Sequence, residues 1–363
     1  MNRKAWQFAQ AALAALLWGW SVSSAGQIAP LTPLRVEPGL VVVSAVNDRV
    51  LQKDYESVLR IESVGPDGIR SATDWALPDR ESPDGMRRQT AQSLQRSQDS
   101  EHARKIILWH LPGDEETLPG TTAATPSLDV FNEVRNRGEA AIVVGAVSKS
   151  DTQGLGSLGG FFAGRKYFRG TLKKLGIEPV RVLVDGVPTL LNTMHAGGTV
   201  TVGDDRAEVE FWWLDDPATR FALKFKFQDT AAQVVRINRP GGQEDALAKT
   251  CRSELPGVYF LTDSAQLLLA SEPAIQRIAA ILKAHPEWTI TIEGHTDRTG
   301  GDQHNLDLSK RRAEALKSEL ITKHGIVPSR LSTAGYGSTR PIDTNNTLDG
   351  RAHNRRVELL RKC

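Results

Sequence analysis

The sequence predicts an α+β protein in two parts. An antiparallel β-rich sandwich or open barrel is expected over residues 34–238, and a β-α-β-α-β-β unit with two helices on a small mixed sheet over 255–363. Three observations predict this. Phe221, Leu223, Phe225 and Phe227 alternate with Ala222, Lys224 and Lys226, the period-2 pattern of a strand with one buried and one wet face. Trp288, Ile290 and Ile292 repeat that alternation further on, and Leu308, Ala313, Leu316 and Leu320 then recur at near-helical spacing. Between the two parts, residues 239–254 contain Pro240-Gly241-Gly242 and a polar run, and read as an inter-domain linker.

Composition bounds the function classes. The 363 residues are 40% hydrophobic, enough for two ordinary cores. A formal net charge of +2 argues against a nucleic-acid partner, which calls for a basic excess or a basic face. Arg3 and Lys4 precede a mostly apolar run to Val22 and then Ser23-Ser24-Ala25, so residues 1–25 read as a secretory signal cleaved before Gly26. An uncleaved anchor is the competing reading, but the run is short for a span and carries Gln7 and Gln10. No cysteine follows it to accept a lipid. The expected compartment is therefore the periplasm. Cys251 and Cys363, the two cysteines, bracket the second part, and an even pair in an exported chain suggests a disulfide.

In chain order, residues 40–46 are apolar except for Ser44 and read as a strand. Residues 57–64 lead through Gly65-Pro66-Asp67-Gly68 into 69–76, a hairpin. Residues 78–103 are polar and read as an exposed excursion or surface helix. A strand is expected at 106–111. Ser127 then caps a short helix carrying Val130, Phe131 and Val134 and stopped by Gly138, and a strand follows at 140–147. Gly154-Leu155-Gly156-Ser157-Leu158-Gly159 spells a G-x-G-x-x-G, but it neither follows a strand directly nor opens a helix, so a nucleotide loop is rejected. Asp185-Gly186 after Val184 is a type I′ turn signal, and Asp204, Asp205, Asp215 and Asp216 are read as turn chemistry rather than a calcium site.

The second part opens with an expected strand at 258–261. A helix starting at Ser271-Glu272-Pro273 carries Ile275, Ile278, Ala279 and Leu282 and ends before Pro286. The central strand follows, then a helix started by Asp302 or Asn305. A third strand is expected at 330–335, a loop at 341–350 and a last strand at 354–362. The turn Gly294-His295-Thr296-Asp297-Arg298-Thr299-Gly300 joins the central strand to the long helix. Asp297 thus stands just past a strand's carboxyl end and Arg312 on the next helix, at one mouth. A carboxylate and a guanidinium so placed suit a zwitterion, Asp297 receiving an ammonium and Arg312 gripping a carboxylate bidentately.

These residues carry a family resemblance. The His295-Thr296-Asp297 turn, then Asn305 with Leu308-Ser309 and Arg312-Ala313, then Gly350-Arg351-Ala352-His353-Asn354-Arg355-Arg356-Val357-Glu358, resemble the OmpA-like peptidoglycan-binding domain. So does Tyr259-Phe260 followed by Asp263-Ser264-Ala265. The resemblance covers residues 252–362. It implies non-covalent capture of the diaminopimelate of the cell-wall peptide, with Asp297 on the ammonium and Arg312 on the carboxylate. Thr296, Asn305 and Arg355 fall where the family has supporting polar contacts, although Arg355 could instead cap a sheet edge. A metal or catalytic role for His295 is set aside, since the turn holds one His and no second ligand lies at a useful spacing. No cofactor is implied, and no nucleophile elbow or Cys-His pair suggests an enzyme. The expected function is to tether the β-rich domain, whose own partner is unknown, to the wall. The alternative is a periplasmic hydrolase whose active site lies in the β-rich domain.

Overall fold

Backbone hydrogen bonding gathers the strands between Val41 and Asn238 into one sheet, seen in a computed structural model that describes residues 34–48, 53–78, 86–108, 117–146, 165–260, 264–267 and 271–363. A meander of β1 (Val41–Asp48), β2 (Lys53–Gly65), β3 (Gly68–Pro78) and β4 (Met86–Arg96) ends in the short helix α1 (Ser97–His102). Then come β5 (Lys105–Ile107), β6 (Thr121–Ala123), α2 (Leu128–Arg137) and β7 (Glu139–Ala146). Five more strands follow: β8 (Lys166–Val184), β9 (Val187–Val202), β10 (Asp205–Leu214), β11 (Ala222–Phe227) and β12 (Thr230–Asn238). The strand order is β4-β3-β2-β1-β12-β11-β10-β9-β8-β7-β5-β6.

This is not a sandwich. The sheet curls until β12 meets β8 again, in parallel, at Arg236↔Leu183 and Ile237↔Val184. The antiparallel expectation holds along most of it, but β5 also pairs in parallel with β6 and β7. Curling encloses one core, in which Val130, Phe131 and Val134 of α2 meet Phe168, Phe211, Trp213, Phe225 and Phe227 of the sheet. Each such side chain contributes roughly 1.5–3 kcal/mol on burial. Residues 78–103, expected as an exposed excursion or surface helix, supply the edge strand β4 and the short, largely exposed helix α1. The alternation that marks strands elsewhere is blurred there, because polar residues occupy both faces of an edge strand.

Local signals act as their chemistry dictates. The Ser127 hydroxyl accepts from Val130 N at 3.2 Å and starts α2, and Gly138 ends it at φ 84°. Asp185 and Gly186 both take positive φ, 50° and 80°, as a type I′ turn requires. The expected signal segment and the G-x-G-x-x-G stretch lie outside the described residues. Among the described residues no helix is long and apolar enough to cross a membrane.

The stretch expected as a linker is structured. It holds α3 (Gly242–Thr250) and β13 (Arg252–Glu254), and β13 pairs with the last strand. The remaining elements are α4 (Glu272–Ala284), β14 (Ile290–Gly294), α5 (Asp302–Thr322), β15 (Leu331–Gly335), α6 (Leu348–Asn354) and β16 (Val357–Arg361), with sheet order β13-β16-β14-β15. β14 runs parallel to β15 and antiparallel to β16. The strand expected at 258–261 is reduced to one bridge, Phe260↔Leu267, and β13 takes its place in the sheet. Part of the expected loop and last strand is instead α6, capped by the Thr347 hydroxyl. Cys251 and Cys363 are bonded, closing the chain across β13 and β16.

The two parts share a boundary core. Val41, Val43, Ala45, Val58 and Val235 of the large sheet bury Ala352 of α6, with Tyr259 and Leu348 beside them. Residues 35–363 accordingly form one compact unit.

Candidate functional site

The mouth above β14 is built by a parallel pair. Gly294 and Gly335 end β14 and β15 side by side, and a Cβ on either would lie within 2.4 Å of α5 backbone, so α5 packs directly on the strand ends. The chain then leaves β14 through the 295–300 turn. Thr296 N donates to the Gly337 carbonyl at 2.9 Å, and Asn305 Nδ2 donates to the carbonyls of Thr299 (3.0 Å) and Asp297 (3.4 Å). Asn305 is therefore the staple that shapes the turn.

Asp297 sits in that turn, mostly buried. Its Oδ1 accepts from Thr299 N at 2.8 Å and its Oδ2 from Arg355 Nη1 at 2.8 Å. Burial opposes its ionisation, but Arg355 and Thr299 outweigh it and hold the carboxyl below its ordinary range. Arg355 thus does not cap the sheet edge; it leaves the end of α6 and reaches Asp297. Arg312, on α5, donates from Nε to the Ser264 carbonyl at 3.0 Å, and its guanidinium lies 5.1 Å from the Phe260 ring centroid. The Thr296 hydroxyl is buried without a hydrogen-bond partner.

Beneath the mouth lies a second cluster that the sequence reading missed. Glu293, His295 and Glu358, all buried, bring one potential ligand atom each within 4.8 Å of one another, the only such group among the described residues. His295 therefore does have acidic neighbours, supplied by β14 and β16 rather than by its own turn. Its two ring nitrogens are buried without hydrogen-bond partners, and the ring stacks on Tyr336. Arg252 Nη1 bridges Glu293 and Glu358, Arg356 Nε bonds Glu358 at 2.5 Å, and Tyr336 donates to Glu293. Burial, then Arg356, Arg252 and Arg340, push the His295 pKa down to about 3. Both carboxylates are already engaged by guanidiniums, which a metal would have to displace, so the donor set does not fit a metal. The sequence signal was the β16 alternation: Val357 and Leu359 face one side of the sheet, which sends Glu358 to the other.

The comparisons bear on this half of the chain. Residues 259–355 match the OmpA family model, and this segment is an OmpA family domain. Outer membrane porin F of Pseudomonas aeruginosa is 40% identical over 113 residues, covering 31% of this chain and 32% of that protein. The peptidoglycan-binding protein ArfA of Mycobacterium tuberculosis is 40% identical over 103 residues, or 28% of this chain and 31% of its own length. The peptidoglycan-associated lipoprotein of Burkholderia pseudomallei, a crystal structure, matches at 31% identity over 29% of this chain and 88% of that one, with a TM-score of 0.27. The chain thus spans about a third of the length of these curated relatives.

Proposed function

With residues 259–355 an OmpA family domain, we propose that the protein binds peptidoglycan non-covalently through the diaminopimelate of the stem peptide and so holds its β-rich domain at the cell wall. The observation that carries this reading is the ionised Asp297, fixed by Thr299 N and Arg355 just past the end of β14. A carboxylate offers about four acceptor sites, more than the bonds from Thr299 and Arg355 occupy, so Asp297 has capacity for an ammonium. Arg312, oriented by Ser264 and Phe260, is the group for the ligand carboxylate. The unpartnered Thr296 hydroxyl beside Asp297 is a further contact a ligand would satisfy. The role is binding without turnover: His295, the imidazole nearest Asp297 in the chain, is sealed beneath the turn and held neutral.

Sedimentation with purified peptidoglycan tests this. Asp297→Ala or Arg312→Ala should each cost about 2–5 kcal/mol of binding, because each leaves a ligand charge unpaired. Arg312→Lys should recover only part, since an ammonium lacks the planar fork. A wall built on lysine, which lacks the second carboxylate, should bind more weakly than one built on diaminopimelate. Equal sedimentation of the parent and both alanine variants, folded by circular dichroism, would sink the reading.

A further inference from the structure

Among the strands of the large sheet that contact the C-terminal part, β12 makes the polar contacts to α6. The β1–β12 register slips between Val43 and Ser44, which pair with Arg236 and Val234, so Val235 is an extra residue in β12. A bulge of this kind re-aims neighbouring side chains. Here Gln233, Val235 and Arg236 all turn to the same short helix, α6. Gln233 Nε2 donates to Asp349 at 3.2 Å, and the Val235 carbonyl lies 3.0 Å from His353 Nε2. Arg236 Nη2 donates to the Ala352 carbonyl at 2.5 Å and the Arg355 carbonyl at 3.2 Å.

Those two carbonyls belong to the end of α6, where backbone acceptors lack helical partners and a cation is favoured. Arg236 is 3% exposed. Its Nε is ion-paired with Glu254, and Nη1 lies 3.4 Å from Glu56, so it cannot swing away without stranding buried charge. The peptide it grips carries the side chain that bonds Asp297. From this we infer that Arg236 is a positioning residue for wall binding, acting through Arg355, so that the β-rich domain sets the geometry of the mouth. The inference rests on the reading of Asp297 and Arg312 as the wall-binding pair.

A double-mutant cycle on the full chain tests it, read as affinity for diaminopimelate-type peptidoglycan. Arg355→Ala should weaken binding about tenfold, the size of one charge-assisted contact. Arg236→Met should weaken it by a similar factor in the parent and by nothing further in the Arg355→Ala background, because its effect passes through Arg355. Arg236→Lys, which keeps the charge but offers no fork, should fall between, and it decides the question should Arg236→Met fail to fold. Val58→Ala, which loosens the shared core without touching the two carbonyls, should leave affinity unchanged. Equal losses from the Arg236 variants in both backgrounds, or no loss in either, overturn the inference while the wall-binding reading stands. A parent chain that ignores peptidoglycan overturns both.

Discussion

Two acid–arginine clusters lie within a few residues of each other and behave differently. At the mouth, Asp297 meets Arg355, whose side chain is 31% exposed. Below it, Glu293 and Glu358 meet Arg252 and Arg356, and the Arg356 side chain is 3% exposed. In the lower cluster every carboxylate is answered by a buried or bridging guanidinium, and adding a charge costs more than it returns. Burial, joined by Arg236 and Arg252, even pushes Arg356 down to about 10 against the pull of Glu254 and Glu293. At the mouth the carboxylate of Asp297 is paired with a part-exposed guanidinium, so a ligand's charges can enter the network. Both clusters are made of the same residue types; two guanidiniums answer Glu358 below, whereas Arg355 answers Asp297 above.

The largest effect expected on this contrast comes from Cys251–Cys363, which staples β13 and therefore Arg252 onto the lower cluster. The chain-entropy model assigns a loop of this size roughly 4–5 kcal/mol, an upper figure. Reduced protein should melt well below oxidised protein, a gap absent in Cys251→Ser; equal melting would show that the sheet holds the lower cluster without the staple. Next, Glu358→Ala should cost about 3–5 kcal/mol of stability in urea unfolding by stranding Arg356. Asp297→Ala should cost far less stability while losing binding. If the two swapped effects, the division between structural and binding clusters would fail.

His295 gives a pH signature. Its pKa is about 3 in the folded chain and near 6.5 unfolded, so between those values the unfolded state binds more protons. Stability from this group is complete above pH 6.5 and is lost as pH falls toward 3, by roughly 2 kcal/mol at pH 5. His295→Phe should flatten unfolding free energy over pH 5–7; an unchanged slope would place the titration elsewhere. Asp297 is also depressed, so its share is present above the ordinary carboxylate range and lost only under stronger acid. The smallest effect is Asn305→Ala, about 1 kcal/mol of binding, because a neutral staple rather than a ligand contact is removed. A loss as large as that from Asp297→Ala would mean that Asn305 touches the ligand itself.

By itself the sequence determined what its local patterns encode. Period-2 alternation placed Leu223, Phe225 and Phe227 in the core, and Ile290 and Ile292 in the central strand. Helical spacing placed Leu308, Ala313, Leu316 and Leu320 on the buried face of α5. Asp185-Gly186, Ser127 and Gly138 specified their turn and caps, because a positive φ or an orphan N–H is satisfied within a few residues. The Asp297 turn was legible as a motif, and the bond between Cys251 and Cys363 from their being the two cysteines of the chain. Only the tertiary structure decided the partners. Arg355 lies 58 residues from Asp297, and Arg236 lies 119 from Arg355. Arg252 sits in a stretch whose Pro240-Gly241-Gly242 opening reads as a linker. Periodicity reports which face is buried and is silent on what covers it. A charged side chain reads the same in sequence whether it ends in water, at a ligand or on a helix carbonyl, and packing from distant strands makes that choice.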